Sequence, residues 1–329
     1  MAMPAPLRLF FMGSDPIALP LLDWLAGEGS GLASVSGIYT QPDRPAGRGQ
    51  KTGPGPVKQW ALARGLPVRQ PEKLGAEETA WLAAQAPDLV LVMAYGHILR
   101  DEFLRVARLG TLNLHASLLP KYRGASPIQT AVACGERETG VTLMRIVRKL
   151  DAGPMAGAER VPVGPLDTAL DVERRLAGAC VPLMARALPG IAAGTLDFTG
   201  QDEALATRCR RLTKEDAQLD FAAPAAALAA RVNGLNPWPG CAFEFREQTI
   251  KAGLADAPGG GADGRVAPGT VLGADAEGLS VAAGSGVLRL RRLQRPGGRM
   301  LPAGEFLRGF PIAAGEVLAS RPMPVLVSA

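Results

Sequence analysis

The chain has 329 residues, of which 47% are hydrophobic, and this length suits two domains with ordinary cores better than one. A net charge of +5 permits a polyanionic partner such as nucleic acid but does not require one. Four scattered cysteines and only two histidines give little support for a zinc site, so we expect no metal. Unpaired thiols favour a reducing environment, and we expect a cytoplasmic location.

The sequence also lacks the patterns of secretion and membrane insertion. The apolar run at residues 9–12 stops at Gly13-Ser14-Asp15-Pro16, which makes it too short for the hydrophobic region of a signal peptide. Because no stretch of 18 consecutive apolar residues occurs, we predict no membrane span.

Strands and helices are predicted to alternate over the first part of the chain. Residues 7–12 form a nearly unbroken apolar run, which is typical of a buried parallel strand, and residues 17–26 have helical spacing. Further strands are predicted at 32–39, 88–93, 111–115 and 141–147, and helices at 57–64, 76–85, 127–134 and 168–188. This alternation predicts an α/β fold with a doubly wound, mostly parallel sheet. The turn after the first strand lacks G-x-G-x-x-G, so no dinucleotide site is predicted.

Residues 41–56 are predicted to form a long loop without regular structure. The loop consists of glycine, proline and polar residues, and it carries Arg44, Arg48 and Lys51 with Asp43 as its only acid. Such a segment is most often a flexible surface loop. The functional alternative is an anion-contacting loop, because Arg48 between two glycines has a backbone free to follow a phosphate chain.

The composition and the hydrophobic pattern of the sequence change after about residue 194. Residues 195–213 have mixed charge and are predicted to be a linker between a first domain, 1–194, and a second domain, 214–329. In the second domain, Gly-rich turns separate short runs at 241–245, 249–252, 265–272, 279–282 and 287–293. Short strands at close spacing predict a small, OB-like β-barrel.

Two polar residues alternate with leucines in the predicted strand 111–115. Asn113 and His115 fall on one side of an extended chain and emerge at its carboxyl end, where open α/β sheets bind ligands. Asp151 follows the next predicted strand and can bring a carboxylate to the same edge, although an aspartate beside a glycine is often only a turn residue. His97 has no charged neighbour, so we interpret it as a loop or pocket-wall residue.

An amide, an imidazole and a carboxylate suit acyl transfer by direct attack, without a covalent enzyme intermediate. Asn113 can donate to a developing oxyanion, and His115 can shuttle a proton or stabilise the same charge. Asp151 can orient the imidazole or help to deprotonate an attacking amine. Ser117 lacks a G-x-S-x-G context and is not predicted to be a nucleophile.

These stretches resemble the signature of the formyltetrahydrofolate-dependent formyltransferases. The likeness lies in Asn-Leu-His-Ala-Ser-Leu-Leu-Pro at 113–120, Tyr-Arg-Gly-Ala-Ser-Pro at 122–127, Gly-Val-Thr at 140–142 and Leu-Asp-Ala-Gly at 150–153. Residues 40–49 and 231–240 are similar to the tRNA-entering loop and the start of the C-terminal barrel in members that act on methionyl-tRNA. The resemblance covers nearly the whole chain.

The resemblance implies a reaction and its partners. The formyl group of 10-formyltetrahydrofolate would pass, through a tetrahedral intermediate, to the α-amino group of methionine on initiator methionyl-tRNA, for translation initiation. Domain 1–194 would be catalytic and the barrel at 214–329 would bind tRNA, in a protein expected to be monomeric.

The resemblance also implies roles for single residues. Asn113, His115 and Asp151 would be catalytic. The folate site would be formed by Ser117, Leu118, Leu119, Pro120, Met93, Ala94, Tyr95 and Gly96. Arg44, Arg48 and Lys51 would contact tRNA, with Arg48 reaching into the acceptor stem.

The chain departs from the family pattern at two places. Ile17 stands where the family commonly has an aromatic residue that meets the methionine side chain. Residues 149–154 read Lys-Leu-Asp-Ala-Gly-Pro, where Gly-Leu-Asp-Thr-Gly-Asp is frequent. These departures affect the methionine pocket and the loop around Asp151 and leave the three catalytic groups in place.

Two other functions remain compatible with the sequence. A formyltransferase for a small amine, such as an amino sugar or glycinamide ribonucleotide, would keep the three groups without needing the arginine loop or the second domain. A non-enzymatic RNA-binding protein that uses the barrel would leave the three groups unexplained.

Overall fold

The computed structural model describes residues 5–46, 51–259 and 266–329, and the chain forms two compact units. The first unit comprises Met1–Arg123, Gly140–Val161 and Arg174–Ala206, and the second comprises Gly124–Thr139, Pro162–Glu173 and Thr207–Ala329. Each unit therefore draws on separate stretches of the chain. The functional domain boundaries at residues 194 and 213 stay a prediction.

Strands and helices are interspersed along the chain. The strands are β1 (Leu7–Met12), β2 (Ala33–Tyr39), β3 (Pro45–Ala46), β4 (Lys51–Thr52), β5 (Val68–Arg69), β6 (Leu89–Val92), β7 (Thr111–His115), β8 (Arg123–Gly124), β9 (Glu138–Arg145), β10 (Met155–Pro162), β11 (Arg208–Cys209), β12 (Ala242–Phe245), β13 (Gln248–Asp256), β14 (Val271–Ala274), β15 (Leu279–Ala282), β16 (Val287–Gln294), β17 (Leu301–Pro302) and β18 (Val327–Ser328). The helices are α1 (Leu19–Ala26), α2 (Pro56–Leu62), α3 (Ala76–Ala84), α4 (Asp101–Leu104), α5 (Pro127–Ala133), α6 (Ala169–Ala193), α7 (Ala225–Gly234) and α8 (Ala303–Gly309).

A seven-stranded sheet forms the centre of the first unit, in the order β10-β9-β7-β6-β1-β2-β5. Neighbouring strands from β7 to β5 are parallel, whereas β9 runs antiparallel to β7. Strand β6 is buried throughout, as expected for a parallel strand that is covered on both faces. The predicted mostly parallel α/β sheet is confirmed.

The register of three parallel strands decides where the polar side chains emerge. Met12 ends β1 opposite Val92, which ends β6, and Val92 lies opposite Asn113 in β7. Strand β7 continues beyond this level to His115. Asn113 and His115 therefore lie at the carboxyl edge of the sheet.

Helix α6 is predicted as a long core helix, and its stripe of buried residues confirms this. Val172, Leu176, Cys180 and Leu188 are buried at helical spacing, and the helix ends at Ala193 rather than at the predicted residue 188. By length and composition α6 could also cross a membrane, but 44% of its apolar window is buried, and core helices of soluble proteins pass the same test. The absence of a membrane span therefore stays a prediction.

The segment 41–56 is not wholly irregular, so the prediction of a loop without regular structure is wrong for residues 45–46 and 51–52. Strands β3 and β4 pair antiparallel, with Pro45 opposite Thr52. Proline- and glycine-rich stretches carry no strand signal, and this pairing between backbones depends little on side-chain type. Residues 47–50 lie outside the described residues.

The second unit contains a curled antiparallel sheet, in the order β12-β13-β16-β15-β14, with β17 added to β16. Helix α7 packs against β13 and β16, and register shifts in β13 and β14 bend the sheet. The predicted C-terminal barrel is confirmed as a barrel-like sheet. A strand over 265–272 is wrong for residues 266–270, because Pro268 has no N–H and Gly269 adopts a left-handed φ of +87°.

A carboxylate held by two arginines links β13 to β16. Asp256 accepts hydrogen bonds from Arg289 at 2.7 and 2.9 Å and from Arg291 at 2.9 Å. These hydrogen bonds, that of Arg289 first, lower the pKa of Asp256 to about 2, against a smaller opposing effect of burial.

We expect Asp256→Asn to lower the free energy of unfolding by about 2 kcal/mol at pH 7, at about 1.4 kcal/mol per pKa unit. Because the folded pKa lies below the unfolded value of 3.8, this stabilisation is complete above that value and is lost as pH falls towards about 2. Urea denaturation of both proteins between pH 7 and pH 2.5 measures the difference. Glu277→Gln is the control, because exposed Glu277 binds Arg291 at 2.8 Å and should contribute little. A difference that does not change with pH would contradict the assignment.

Candidate active site

Asn113 and His115 share one side of β7 because successive side chains of a strand point to opposite faces. The alternate residues Leu112 and Leu114 are buried. Asn113 is partly exposed, and its side-chain amide makes no hydrogen bond to any described residue. Its N–H groups are therefore available to a ligand at the sheet edge.

The imidazole of His115 is buried, with 6% of the residue exposed, and both ring nitrogens face protein groups. Nε2 lies 2.9 Å from the carbonyl oxygen of Tyr122. A carbonyl oxygen only accepts, so Nε2 carries a hydrogen and donates it. Nδ1 lies 3.7 Å from Oδ2 of Asp151. Nδ1 is thus the nitrogen that can exchange a proton.

Asp151 reaches His115 from the loop between β9 and β10. Its φ of +49° is left-handed, a conformation that aspartate tolerates better than most residues. A Cβ at position 153 would collide with the carbonyl oxygen of Arg145, so only glycine fits there. The residue types at 151 and 153 are therefore required by the backbone conformation as well as by the chemistry of the carboxylate. The distance of 3.7 Å between Nδ1 and Oδ2 exceeds that of a hydrogen bond, so the two side chains face each other without one.

Groups that support this pair were not predicted from the sequence. The carbonyl of Tyr122 could not be predicted from the sequence, because every residue type has a backbone carbonyl. Gln201, within the predicted linker, donates to the carbonyl oxygens of Asp151 and Gly153, both at 2.8 Å. Arg123 was part of the family motif at 122–127 and had no role predicted for it. In the structure its guanidinium donates to Oε1 of Gln201.

The predicted folate segment 117–120 forms a tight turn after β7. Ser117 is fully buried, its hydroxyl donates to the carbonyl oxygen of Lys121 at 2.7 Å, and its own carbonyl accepts from Thr142 Oγ1 at 2.7 Å. Thr142 Oγ1 also accepts from the backbone N–H of Leu119 at 3.2 Å. Ser117 can therefore shape the turn, but its hydroxyl is already engaged. The role of 117–120 in folate binding stays a prediction.

The second predicted folate segment, 93–96, directly follows β6. Tyr95 is 2% exposed, and its ring lies 5.0 Å from that of His97. Tyr95 Oη and His97 Nε2 are buried and have no hydrogen-bond partner among the described residues. Burial raises the pKa of Tyr95, so its phenol stays neutral. The ring of Tyr95 packs in an apolar cluster with Phe10, Tyr39 and Phe103, so the role of 93–96 in folate binding stays a prediction.

The residues predicted to contact methionine and tRNA belong to segments that follow β1 and β2. Ile17 is 5% exposed and sits in a short helical turn capped by Asp15, whose carboxylate accepts from its N–H at 3.0 Å. Arg44 is exposed and pairs with Glu72 at 3.0 Å. The backbone of Lys51 belongs to β4, whereas Arg48 lies outside the described residues.

A cleft of about 450 Å³ lies at the opposite end of β7, around Gly110 and Leu112. It is lined by arginines and apolar residues, and by none of the predicted catalytic residues. Without an acid–base pair it is not the active site.

A parallel α/β sheet with an amide, an imidazole and a carboxylate at its carboxyl edge defines an enzyme suited to acyl transfer. The chain belongs to the formyl transferase family. The family model described as formyl transferase matches residues 8–188, and the model of the formyl transferase C-terminal domain matches residues 211–311. The family resemblance inferred from the sequence is confirmed.

Several relatives named methionyl-tRNA formyltransferase match nearly the whole chain. The protein from Aromatoleum aromaticum is 44% identical over 95% of this chain and 97% of its own. That from Pseudomonas syringae pv. tomato is 46% identical over 91% and 93%, and that from Methylococcus capsulatus 43% over 93% and 98%.

Solved structures share the fold at lower identity. HypX from Aquifex aeolicus, crystallised with tetrahydrofolic acid, is 17% identical with a TM-score of 0.61, over 96% of this chain and 51% of HypX. The sugar 3N-formyl transferase WlaRD is 15% identical with a TM-score of 0.63, over 88% of this chain and 98% of WlaRD. At such identities the likeness concerns the fold alone.

Proposed function

We propose that this protein transfers the formyl group of 10-formyltetrahydrofolate to the α-amino group of methionyl-tRNA, which supplies the initiator tRNA of translation. Relatives with the name methionyl-tRNA formyltransferase support the proposal at 43 to 46% identity over at least 91% of the chain. The observation that carries the chemistry is the pairing of His115 with Asp151 beside the available amide of Asn113.

The three groups account for each stage of the transfer. The amine attacks the formyl carbon, a C–N bond forms, and the carbonyl oxygen gains the negative charge of the tetrahedral intermediate. Asn113 donates an N–H to that oxygen. His115 Nδ1 accepts the proton that the amine loses and returns it to the folate nitrogen as the second C–N bond breaks. Asp151 stabilises the imidazolium while it carries the proton.

The proposed donor site consists of residues 93–96 and 117–120, beside the catalytic groups. Residues 93–96 directly follow β6, whose last residue Val92 lies opposite Asn113, so their backbone N–H and carbonyl groups can meet the ring N–H and carbonyl groups of a pteridine. The crystal structure of HypX with tetrahydrofolic acid gives support for a folate at the level of the fold.

The proposed tRNA contacts lie in the loop with Arg44, Arg48 and Lys51 and in the C-terminal barrel-like sheet. A net charge of +5 is modest, so affinity would come from a few phosphate contacts and fall with salt. The same proposal has the protein act in the cytoplasm as a monomer.

A formyltransferase for a small amine is the second candidate, and it is not favoured. The likeness to WlaRD is one of fold, at 15% identity. The relatives that match at high identity and coverage have a tRNA substrate in their name.

The deciding experiment incubates purified protein with charged initiator tRNA, with and without 10-formyltetrahydrofolate. Mass spectrometry of the amino acid released from the tRNA should show formylmethionine only with the donor. Adding an amino sugar nucleotide or glycinamide ribonucleotide should not reduce the yield. Formylation of either small amine in preference to methionyl-tRNA would overturn the proposal.

Arg48→Ala should raise KM for methionyl-tRNA about fivefold and leave kcat nearly unchanged, because a phosphate contact contributes about 1 kcal/mol. The slope of log(kcat/KM) against log[salt] should become shallower by about 1. Arg105→Ala is the matched control, because it also removes one positive charge. Arg105 directly follows α4 and forms an exposed ion pair with Asp101 in that helix. Equal effects of the two variants would contradict a tRNA contact at Arg48.

A further inference from the structure

The side chain of Arg123 is among the largest fully buried side chains of the described residues, with 1% of the residue exposed. It donates to Oε1 of Gln201 from Nε at 3.0 Å and from Nη2 at 2.7 Å. It also pairs with Glu203 at 3.0 and 3.1 Å, and Glu203 in turn binds Lys149 at 2.7 Å. A buried charge is costly unless it is paired, so these bonds hold Arg123 and Gln201 in one geometry.

The orientation of the Gln201 amide follows from its partners. A guanidinium has only donors, so Oε1 must face Arg123 and the NH₂ group must point the other way. The NH₂ group donates to the carbonyl oxygens of Asp151 and Gly153. Both ends of the amide are thus committed, and a replacement would need an acceptor and a donor at the same reach.

Two residues with left-handed backbone conformations contact His115, one at each ring nitrogen. Arg123 and Gln201 are connected to both of these residues. Tyr122, whose carbonyl accepts from His115 Nε2, has φ +59° and directly precedes Arg123. Asp151, whose carboxylate faces His115 Nδ1, has φ +49° and is bound through its carbonyl to Gln201. Left-handed non-glycine residues cost about 1–3 kcal/mol and persist where their surroundings fix them.

We propose that Gln201 is a positioning residue for the active site, which sets the gap between His115 Nδ1 and Asp151 Oδ2. Gln201 does so by joining the Asp151 backbone to Arg123. Arg123 directly follows Tyr122, whose carbonyl accepts from Nε2 of His115. As a role in formyl transfer this rests on the proposed function. A gap of 3.7 Å sits just beyond hydrogen-bond length, so a small shift of the loop makes or breaks the contact.

The kinetic test compares Gln201→Glu and Gln201→Met with the unsubstituted protein. Glutamate keeps the acceptors for Arg123 but turns a carboxylate towards two carbonyl oxygens, and methionine keeps the length without either set of bonds. We expect kcat per folded molecule to fall about 10- to 100-fold in both variants, because displacing a catalytic group by about 1 Å has such effects. KM for both substrates should stay within about twofold.

A spectroscopic test reports on the same link without turnover. The chain has only two histidines, so the spectrum of a His97→Gln variant assigns the ring signals of His115 by NMR. These signals should shift in Gln201→Glu and Gln201→Met. Gln85→Glu makes the same change at the end of α3, where the amide donates to the carbonyl of Trp81, its one hydrogen-bond partner among the described residues, and it should leave kcat and the His115 signals unchanged.

The outcomes separate the two proposals. If the folded Gln201 variants keep kcat and the His115 signals of the unsubstituted protein, the positioning role is overturned. A fall in kcat that disappears after correction for the folded fraction also overturns it, because that result indicates a purely structural role. If Gln201→Glu does not fold, Gln201→Met decides both comparisons. If the unsubstituted protein does not formylate methionyl-tRNA, the proposed function fails, while the ring signals still test the link.

Discussion

His115→Ala is expected to lower kcat for formyl transfer about a thousandfold while the protein stays folded, since a positioned acid–base group contributes about 10²- to 10⁴-fold. The imidazole is held by Tyr122 at Nε2 and faces Asp151 with Nδ1, so the substitution removes the group that is placed to carry the proton. Single-turnover kinetics at saturating donor and tRNA measure the chemical step directly.

The comparison variant for His115 is His97→Ala, the same substitution at the other histidine of the chain. His97 lies beside Tyr95, directly after residues 93–96 of the proposed donor site, so its loss should raise KM for the folate and leave the chemical step largely intact. A folded His115→Ala protein that retains activity within tenfold of the unsubstituted enzyme would move the proton transfer to another group.

The placement of Asn113 and His115 could be predicted because it depends on local rules. The alternation of side chains in a strand puts both on one face, and the parallel order of strands puts their end at the ligand edge. The structure places both residues at the carboxyl edge as predicted, and brings Asp151 within 3.7 Å of His115. Their catalytic roles stay a prediction until the variants are assayed.

The support behind these groups could not be predicted, because it joins residues far apart in the chain. Arg123 and Gln201 are 78 positions apart, and no periodicity marks a buried arginine or an amide in an irregular segment. In the same way, an apolar pattern at 265–272 predicted a strand that Pro268 and Gly269 prevent. Long-range pairing and local backbone constraints overrode composition and hydrophobic pattern at these positions.

Asp151→Asn is expected to lower kcat several hundredfold, within the range of about 10²- to 10⁴-fold for acid–base groups. Asparagine tolerates the left-handed φ of +49°, and the bond from Gln201 goes to the backbone carbonyl, so the loop should keep its shape. The substitution therefore removes the negative charge that faces His115 Nδ1. Asp202→Asn is the control, because exposed Asp202 caps a short helical turn through a 2.9 Å bond to the N–H of Ala204.

Combining Asp151→Asn with Gln201→Met shows whether the two residues act together. If Gln201 works by placing the Asp151 carboxylate, its loss should cost much less once the charge is gone, so the double variant should be only slightly slower than Asp151→Asn. Fully multiplicative effects would mean that Gln201 acts on the reaction by another route. An Asp151→Asn protein with nearly full activity would leave the imidazole as the sole acid–base group of the site, because the carboxylate would then be dispensable for carrying the proton.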